Sequence, residues 1–204
     1  MDRPIHYTSG TTGVGYSFTT ATNTAGFSVL GYVAKNAAEL GAKLFATCAA
    51  PDSYLYESEA IHSGNVLAGK PDYPVDVRYL SPDAFAYQAS CISMLKAEKI
   101  AVNIMVGYFY TEHLTIGHGA REAGAIGVGG TTNMDIFGLV PTNDYVLLGP
   151  ETYAAGALLS GDKELQHSFI GEDAVLYIFL GLVVLGAILA TAGSGSLLTN
   201  LLKM

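Results

Sequence analysis

Val75–Val106, VDVRYLSPDAFAYQASCISMLKAEKIAVNIMV, contains one complete strand–helix–strand unit. Val75–Leu80 (VDVRYL) has the β-branched and aromatic make-up of a strand. Ser81-Pro82-Asp83 then reads as a helix start: a capping hydroxyl, a proline at the first helical position, and an acid at the positive end of the dipole. The helix is expected to reach Lys96–Lys99. Ile100–Val106 (IAVNIMV) follows as a near-continuous apolar strand, the pattern of a central strand in a parallel sheet.

The same alternation extends in both directions. Upstream, Ile5–Thr8 reads as a strand, followed by a Gly/Thr-rich loop and a helix from about Thr24 to Leu40, ended by Gly41. Lys43–Ala49 (KLFATCA) is the next strand, and Pro51-Asp52-Ser53 opens a helix to about Ala68. Downstream come a helix from about Tyr110 to Ala123 closed by Gly124, a strand at Ala125–Gly129, and a short helix or turn at Thr131–Leu139. Tyr145–Leu148 and Glu151–Ser160 complete the series as strand and helix. Alternation at this spacing predicts right-handed βαβ units. The expected fold class is therefore α/β: a doubly wound, mostly parallel six-stranded sheet, Rossmann-like, over residues 1–160.

The C-terminus has a different character. Ala174–Ala192, AVLYIFLGLVVLGAILATA, carries no charge and is apolar on every helical face, so no amphipathic period is left to pack on a soluble core. Its helical length approaches the ~30 Å of a hydrocarbon core. The expectation is one C-terminal transmembrane helix at residues 174–193, with a linker at 161–173 and a short tail at 194–204. Gly186 and Ala190, beside Ala187 and Thr191, form a small-xxx-small pair of the kind that lets membrane helices approach and self-associate.

Composition narrows the function classes. Half the residues are hydrophobic, 14% are charged, and mean hydropathy is +0.34. All 18 acidic residues lie at or before Asp173 with nine basic ones, a net −9, and Lys203 alone follows the apolar run. No basic patch exists, which argues against nucleic acid and anionic headgroups as partners. Cys48 and Cys91 sit far apart in apolar stretches without CxxC spacing and read as buried thiols in a reducing compartment. Met1-Asp2-Arg3-Pro4 does not open a signal peptide. A cytoplasmic domain, tail-anchored by a single pass in the cell membrane, is expected.

In doubly wound sheets ligands bind beyond the carboxyl ends of the strands. Two glycine-rich stretches fall there. In Ser9–Gly15, the glycines Gly10, Gly13 and Gly15 with Thr11 and Thr12 offer amides and hydroxyls to a phosphate. Yet the stretch matches neither the P-loop nor the dinucleotide fingerprint, and no lysine is placed in it. Gly129-Gly130-Thr131-Thr132-Asn133 offers a second nest, or a tight strand-to-helix turn. Glu112 and His113 stand at a strand end, where an acid and a base can act, but adjacent helical residues point about 100° apart. His118 and Glu122 share a helix face as two metal ligands without a third. Ser53, Ser81 and Ser90 have no recognisable catalytic partners. No catalytic set, metal site or cofactor is expected.

The stretches RPIHYTSG, FSVLGYVAKNAAELGAKLFATCA, VRYLSPDAFAY, NIMVGYFYTEHL, AREAGAIGVGGT, NDYVLLGPETYAAGALLSGD and GEDAVLYIFLGLVVLGAILATAG resemble, in this order, a family of uncharacterised prokaryotic membrane-anchored α/β proteins, a domain of unknown function. The resemblance runs from about Arg3 to Ser194. It implies that Glu112, Asp144, Glu151 and Gly171–Ala174 match family positions, and that relatives often carry a further N-terminal membrane segment. It implies no activity.

The leading expectation is a non-enzymatic assembly or scaffold protein that self-associates as a homo-oligomer or docks a partner at the membrane surface. The 13 tyrosines and no tryptophan fit an interface-rich domain. The alternatives are a nucleotide or small-molecule binding domain, enzymatic or not, that uses the glycine loops, and an accessory subunit of a larger membrane complex.

Overall fold

The computed structural model describes residues 3–15, 17–133, 136–161 and 163–191. The chain divides into two compact units, Met1–Gly161 and Asp162–Met204. The first unit runs β1 (Ile5–Thr8), α1 (Ser17–Leu40), β2 (Leu44–Cys48), α2 (Pro51–Leu67), β3 (Val77–Tyr79), α3 (Ala84–Glu98), β4 (Val102–Val106), α4 (Glu112–Glu122), β5 (Ile126–Thr131), α5 (Ile136–Thr142), β6 (Tyr145–Leu148) and α6 (Pro150–Ser160). The second holds α7 (Lys163–Thr191).

The six strands form one all-parallel sheet in the order β3-β2-β1-β4-β5-β6. This is the Rossmann-like arrangement, and chain order reverses between β1 and β4. The register sets Ile5 beside Leu44 and Val102, and His6 beside Phe45 and Asn103. Side chains alternate across a strand, so each strand feeds two cores. Tyr7, Leu44, Ala46, Ile104 and Val106 pack with Leu30 and Ala34 of α1 and Ile61 of α2. Phe45 and Met105 point the other way, onto Tyr87, Cys91 and Leu95 of α3, Ile116 of α4 and Leu139 of α5.

The α3/α4 face also buries polar groups. His6 Nδ1 lies 2.6 Å from Asn103 Oδ1, and Nε2 lies 2.8 Å from the Thr47 hydroxyl. A carbonyl oxygen only accepts, so Nδ1 carries the proton and Nε2 receives the Thr47 hydroxyl. Burial pushes His6 down to about 4, which keeps the ring neutral at physiological pH. The Tyr87 hydroxyl continues the network, 3.0 Å from Thr47 Oγ1 and 2.6 Å from Thr8 Oγ1. Cys48 and Cys91 are buried free thiols, both pushed up by burial, Cys91 to about 12.

Several boundaries depart from the sequence expectation. α1 begins at Ser17 rather than Thr24. Threonines are weak helix formers, but the Thr19 and Thr20 hydroxyls donate to the carbonyls of Gly13 and Val14, which ties the first turns to the preceding loop. At α3 the cap is Asp83, whose carboxylate accepts from Ala86 N at 2.8 Å, while Ser81 Oγ receives the amide of Asp83. β5 extends to Thr131, so Gly129, Gly130 and Thr131 are strand residues. The stretch expected as a linker is helical from Lys163.

α7 is 29 residues long. Among the described residues, no helix is long and apolar enough to cross a membrane. The apolar side chains described on α7 run from Ala174 to Ile188, roughly 22 Å of helix. Ala192, residue 193 and the 194–204 tail lie outside the described residues, as does the side chain of Ala190.

Candidate functional site

The loop after β1 and the loop after β4 meet where the strand order reverses. They pass backbone against backbone. A Cβ on Gly10, whose φ is +100°, would stand 2.5 Å from Tyr108 O, and one on Gly107 would stand 2.2 Å from Ser9 O. Glycine is needed at both positions because no side chain fits the approach. Asn23 of α1, fully buried, joins the two loops: its Nδ2 donates to Thr12 O at 3.0 Å, and its Oδ1 accepts from Tyr108 N at 2.9 Å. The Thr12 hydroxyl adds a bond to Tyr108 O at 3.2 Å. The cleft between β1 and β4 is thereby sealed.

An open cavity of about 750 Å³ lies beside this seam. It is walled by Thr11–Gly13 and Gly15 after β1, by Ala49–Asp52 after β2, and by Pro82, Ala84, Phe85 and Gln88 around the start of α3. Tyr110, Thr111 and Glu112 after β4 close it. Of the residues the sequence singles out, Thr11, Thr12, Gly13, Gly15 and Glu112 therefore share one cavity. The Thr11 hydroxyl donates to Glu112 Oε1, and the amide of Tyr110 donates to Oε2 at 2.7 Å. Glu112 is buried.

The phosphate nest expected at Ser9–Gly15 is already filled. Asp52, in the first turn of α2, accepts the amides of Val14 at 2.8 Å and Gly15 at 3.2 Å on Oδ2, and the amide of Ser53 on Oδ1. Its carboxylate takes the place an anion would need; a Cβ on Gly13 would meet it at 2.3 Å. Sequence reading took Asp52 as a helix opener, and no spacing rule links it to a loop 37 residues upstream of it.

In the second glycine-rich stretch, Gly129, Gly130 and Thr131 belong to β5 rather than to a loop. The carbonyl of Gly130 accepts from Gly107 N at 3.1 Å and that of Thr131 from Gly149 N at 3.0 Å, both continuing the parallel ladder. Gly129 is a glycine because α5 crosses it: a Cβ there would stand 2.6 Å from Leu139. Thr132 meets Thr22 of α1, and Asn133 Nδ2 donates to Phe109 O at 2.8 Å. None of Gly129–Asn133 lines the cavity.

The other candidates separate. Glu112 faces the β1 loop, whereas His113 Nε2 lies against Gly138 of α5 and its ring meets Phe109 edge-on. They share no target. His118 and Glu122 form an exposed i,i+4 pair at 3.4 Å, and Lys96 holds Glu122 at 2.8 Å, which lowers that carboxyl below its usual range. Among the described residues no three His, Cys, Asp or Glu side chains are grouped to hold a metal ion. Asp144 and Glu151 accept backbone amides, of Gly127 at 2.8 Å and Leu148 at 2.9 Å, and so stitch strand ends.

Sequence reasoning missed Glu57. It is fully buried, with Ser9 Oγ donating to Oε1 at 2.6 Å and Oε2 unpartnered among the described residues. Burial pushes its carboxyl up to about 8. A signal existed: Ser53, Glu57, Ile61 and Gly64 follow helical spacing along the buried stripe of α2.

Fold and site together describe a parallel α/β domain with a cavity at its carboxyl edge and no recognisable catalytic set among the described residues. The chain matches the family model described as a domain of unknown function (DUF6754) over residues 1–201, and it belongs to that family. No curated protein and no solved structure matches it.

Proposed function

We propose that this chain is a membrane-anchored, non-enzymatic assembly domain. In this reading residues 174–193, which begin within α7, sit in the bilayer. They hold the acidic α/β domain at the cytoplasmic surface, where copies or a partner meet. The observation that carries the anchor is the apolar surface of α7: Leu176, Tyr177, Phe179, Leu180 and Val183 are each more than half exposed. An uncovered apolar surface of this kind marks a contact with lipid or protein. The uncharged sequence continues past the described residues as far as Leu202, which supplies the length that Ala174–Ile188 lacks. A non-enzymatic role is supported by the filled nest at Val14–Gly15 and the ladder-bound glycines of β5.

Carbonate extraction of membranes from expressing cells, followed by electron microscopy of the detergent-solubilised chain, tests both parts. The chain should stay with the lipid and appear as a defined oligomer. Release by carbonate would remove the anchor, and a monodisperse monomer without partners would remove the assembly role.

A further inference from the structure

We propose that the β6 edge of the sheet is the surface on which two copies of this chain meet, with β6 antiparallel to β6 of the second copy about a two-fold axis at Val146. The inference rests on the assembly reading and names the surface that reading leaves open.

The sheet has two edges, β3 and β6, and they differ in chemistry. β3 is guarded by charge: Arg78 on the strand pairs with Asp76 at 2.6 Å and Glu98 at 3.0 Å, and Pro74 lies just before it. Such devices keep foreign strands off an edge. β6 (YVLL) carries none of them. Residues 123–161 hold three charges, Asp135, Asp144 and Glu151, and no Lys or Arg. Asp144 and Glu151 accept the amides of Gly127 and Leu148. An acidic partner finds no counter-charge here, whereas a second copy of this acidic domain meets its least repulsion.

The open backbone groups are self-complementary. Gly149 N donates to Thr131 O at 3.0 Å, which turns the backbone groups of Leu147 toward β5 and those of Val146 and Leu148 outward. Glu151 already covers Leu148 N at 2.9 Å. The outward N–H and C=O of Val146 are a donor and an acceptor on one residue. Antiparallel pairing about a two-fold axis matches them to the same two groups of a second Val146.

The helices beside this edge present apolar surface to it. α5 packs inward at Gly138, where a Cβ would stand 2.5 Å from His113 Nε2, and α6 at Gly156, where one would stand 2.9 Å from Ala25. Two positions further on is about 200° around a helix. Val140 and Leu158 therefore turn away from those neighbours, and both are more than half exposed. Phe137 is 88% exposed and Tyr145 67%. At ~200 Å² for a buried aromatic side chain, these two rings supply about 300 Å² per copy, over a third of the ~800 Å² per partner of a standard interface.

The test uses the full chain in detergent. Light scattering gives the mass of the parent oligomer. Contact at β6 is read from disulfide formation by Val146→Cys on oxidation, with Phe85→Cys, exposed on α3, as the control for random collision. Cys48 and Cys91 are buried, so the parent chain supplies the background. Val146→Cys should crosslink at least tenfold faster than Phe85→Cys. Adding Leu158→Lys, which puts like charges on both copies, should slow crosslinking about tenfold. Leu158→Lys alone should lower the oligomer mass and keep the parent melting point, a readout that does not depend on the cysteine variant folding. Equal crosslinking by the two cysteine variants, or an oligomer indifferent to Leu158→Lys, would overturn the β6 contact and leave the assembly reading standing. A monomeric parent chain would overturn both.

Discussion

Within residues 3–161, His6, Thr47, Asn103 and Glu57 are fully buried, while on α7 Leu180, Val183 and Ile188 are 60% exposed or more. The two regions treat side-chain chemistry in opposite ways. The domain takes polar groups out of water and partners most of them, as in the chain from Asn103 through His6 and Thr47 to Tyr87. Such networks favour one strand register over others, because a slip leaves several donors unpaired at once. Between Ala174 and Ile188 the described side chains of α7 are apolar or aromatic and uncharged, which suits a hydrocarbon environment and is costly in water. The contrast implies that substitutions of similar chemistry have opposite consequences in the two regions.

The largest effect is expected where this contrast is most easily reversed. Leu180→Arg combined with Val183→Arg puts two charges in the middle of the proposed span. Each costs about 2.5–3.5 kcal/mol at the centre of a membrane helix. The double variant should leave the membrane fraction almost completely, with the melting point of the α/β domain unchanged. Membrane retention equal to that of the parent chain would mean that these side chains do not face lipid.

Next in size is Gly107→Ala. The added methyl would stand 2.2 Å from the Ser9 carbonyl and force the two loops at the sheet's reversal point apart. Overpacking of this kind costs about 2–3 kcal/mol. Denaturant unfolding should show the loss, and the Asn23 bonds to both loops should weaken with it. A fully stable variant would contradict the backbone contact described here.

A smaller, pH-dependent effect comes from the buried titratable groups of the domain. Glu57 is raised to about 8 from an ordinary 4.5, with Tyr7, Cys48 and Tyr87 as its ionisable neighbours. A raised acid favours the folded state while protonated, so its contribution is full below pH 4.5 and is lost as pH rises to about 8. His6 works in the other direction. Depressed from 6.5 to about 4, it loses stability as pH falls through that interval. The two slopes oppose between 4.5 and 6.5, leaving Glu57 alone from 6.5 to 8. Stability should therefore fall there by up to about 1.4 kcal/mol per pH unit. Glu57→Gln should flatten that decline, read by thermal melts across the range; an unchanged slope would assign the decline to another group.

How legible this was depended on how local the determining contacts are. Strand and helix order followed from VDVRYL, IAVNIMV and the breaks at Gly41 and Gly124, because periodicity and turn residues act over a few positions. The Thr11–Glu112 cavity was half legible: the strand ends named Ser9–Gly15 and Glu112 as candidates, but not that Asp52 fills the loop's amides. That contact joins residues far apart in sequence. Gly129 and Gly130 were ambiguous in sequence for a related reason. Glycines that admit a crossing helix and glycines that cradle an anion look alike in sequence, and the difference lies in whether Leu139 of α5 packs there. Gln88 and Asn23 left no signal, since a polar residue on an otherwise ordinary helix shows its burial only through tertiary packing.

The smallest expected effect is also a control for the whole contrast. Gly181 of α7 has nothing within 4 Å of the position a Cβ would take, unlike Gly107. Gly181→Ala should therefore leave the domain's stability unchanged and add at most about 1 kcal/mol to the helix through reduced backbone freedom. Oligomer size in detergent should stay the same as well, because the small-residue pair expected to mediate self-association is Gly186 and Ala190. Gly186→Leu places a large side chain on that face and should reduce the oligomer. If Gly181→Ala disrupts assembly and Gly186→Leu does not, the helices meet through a different face. The open space around Gly181 would then be the place where a neighbouring copy packs.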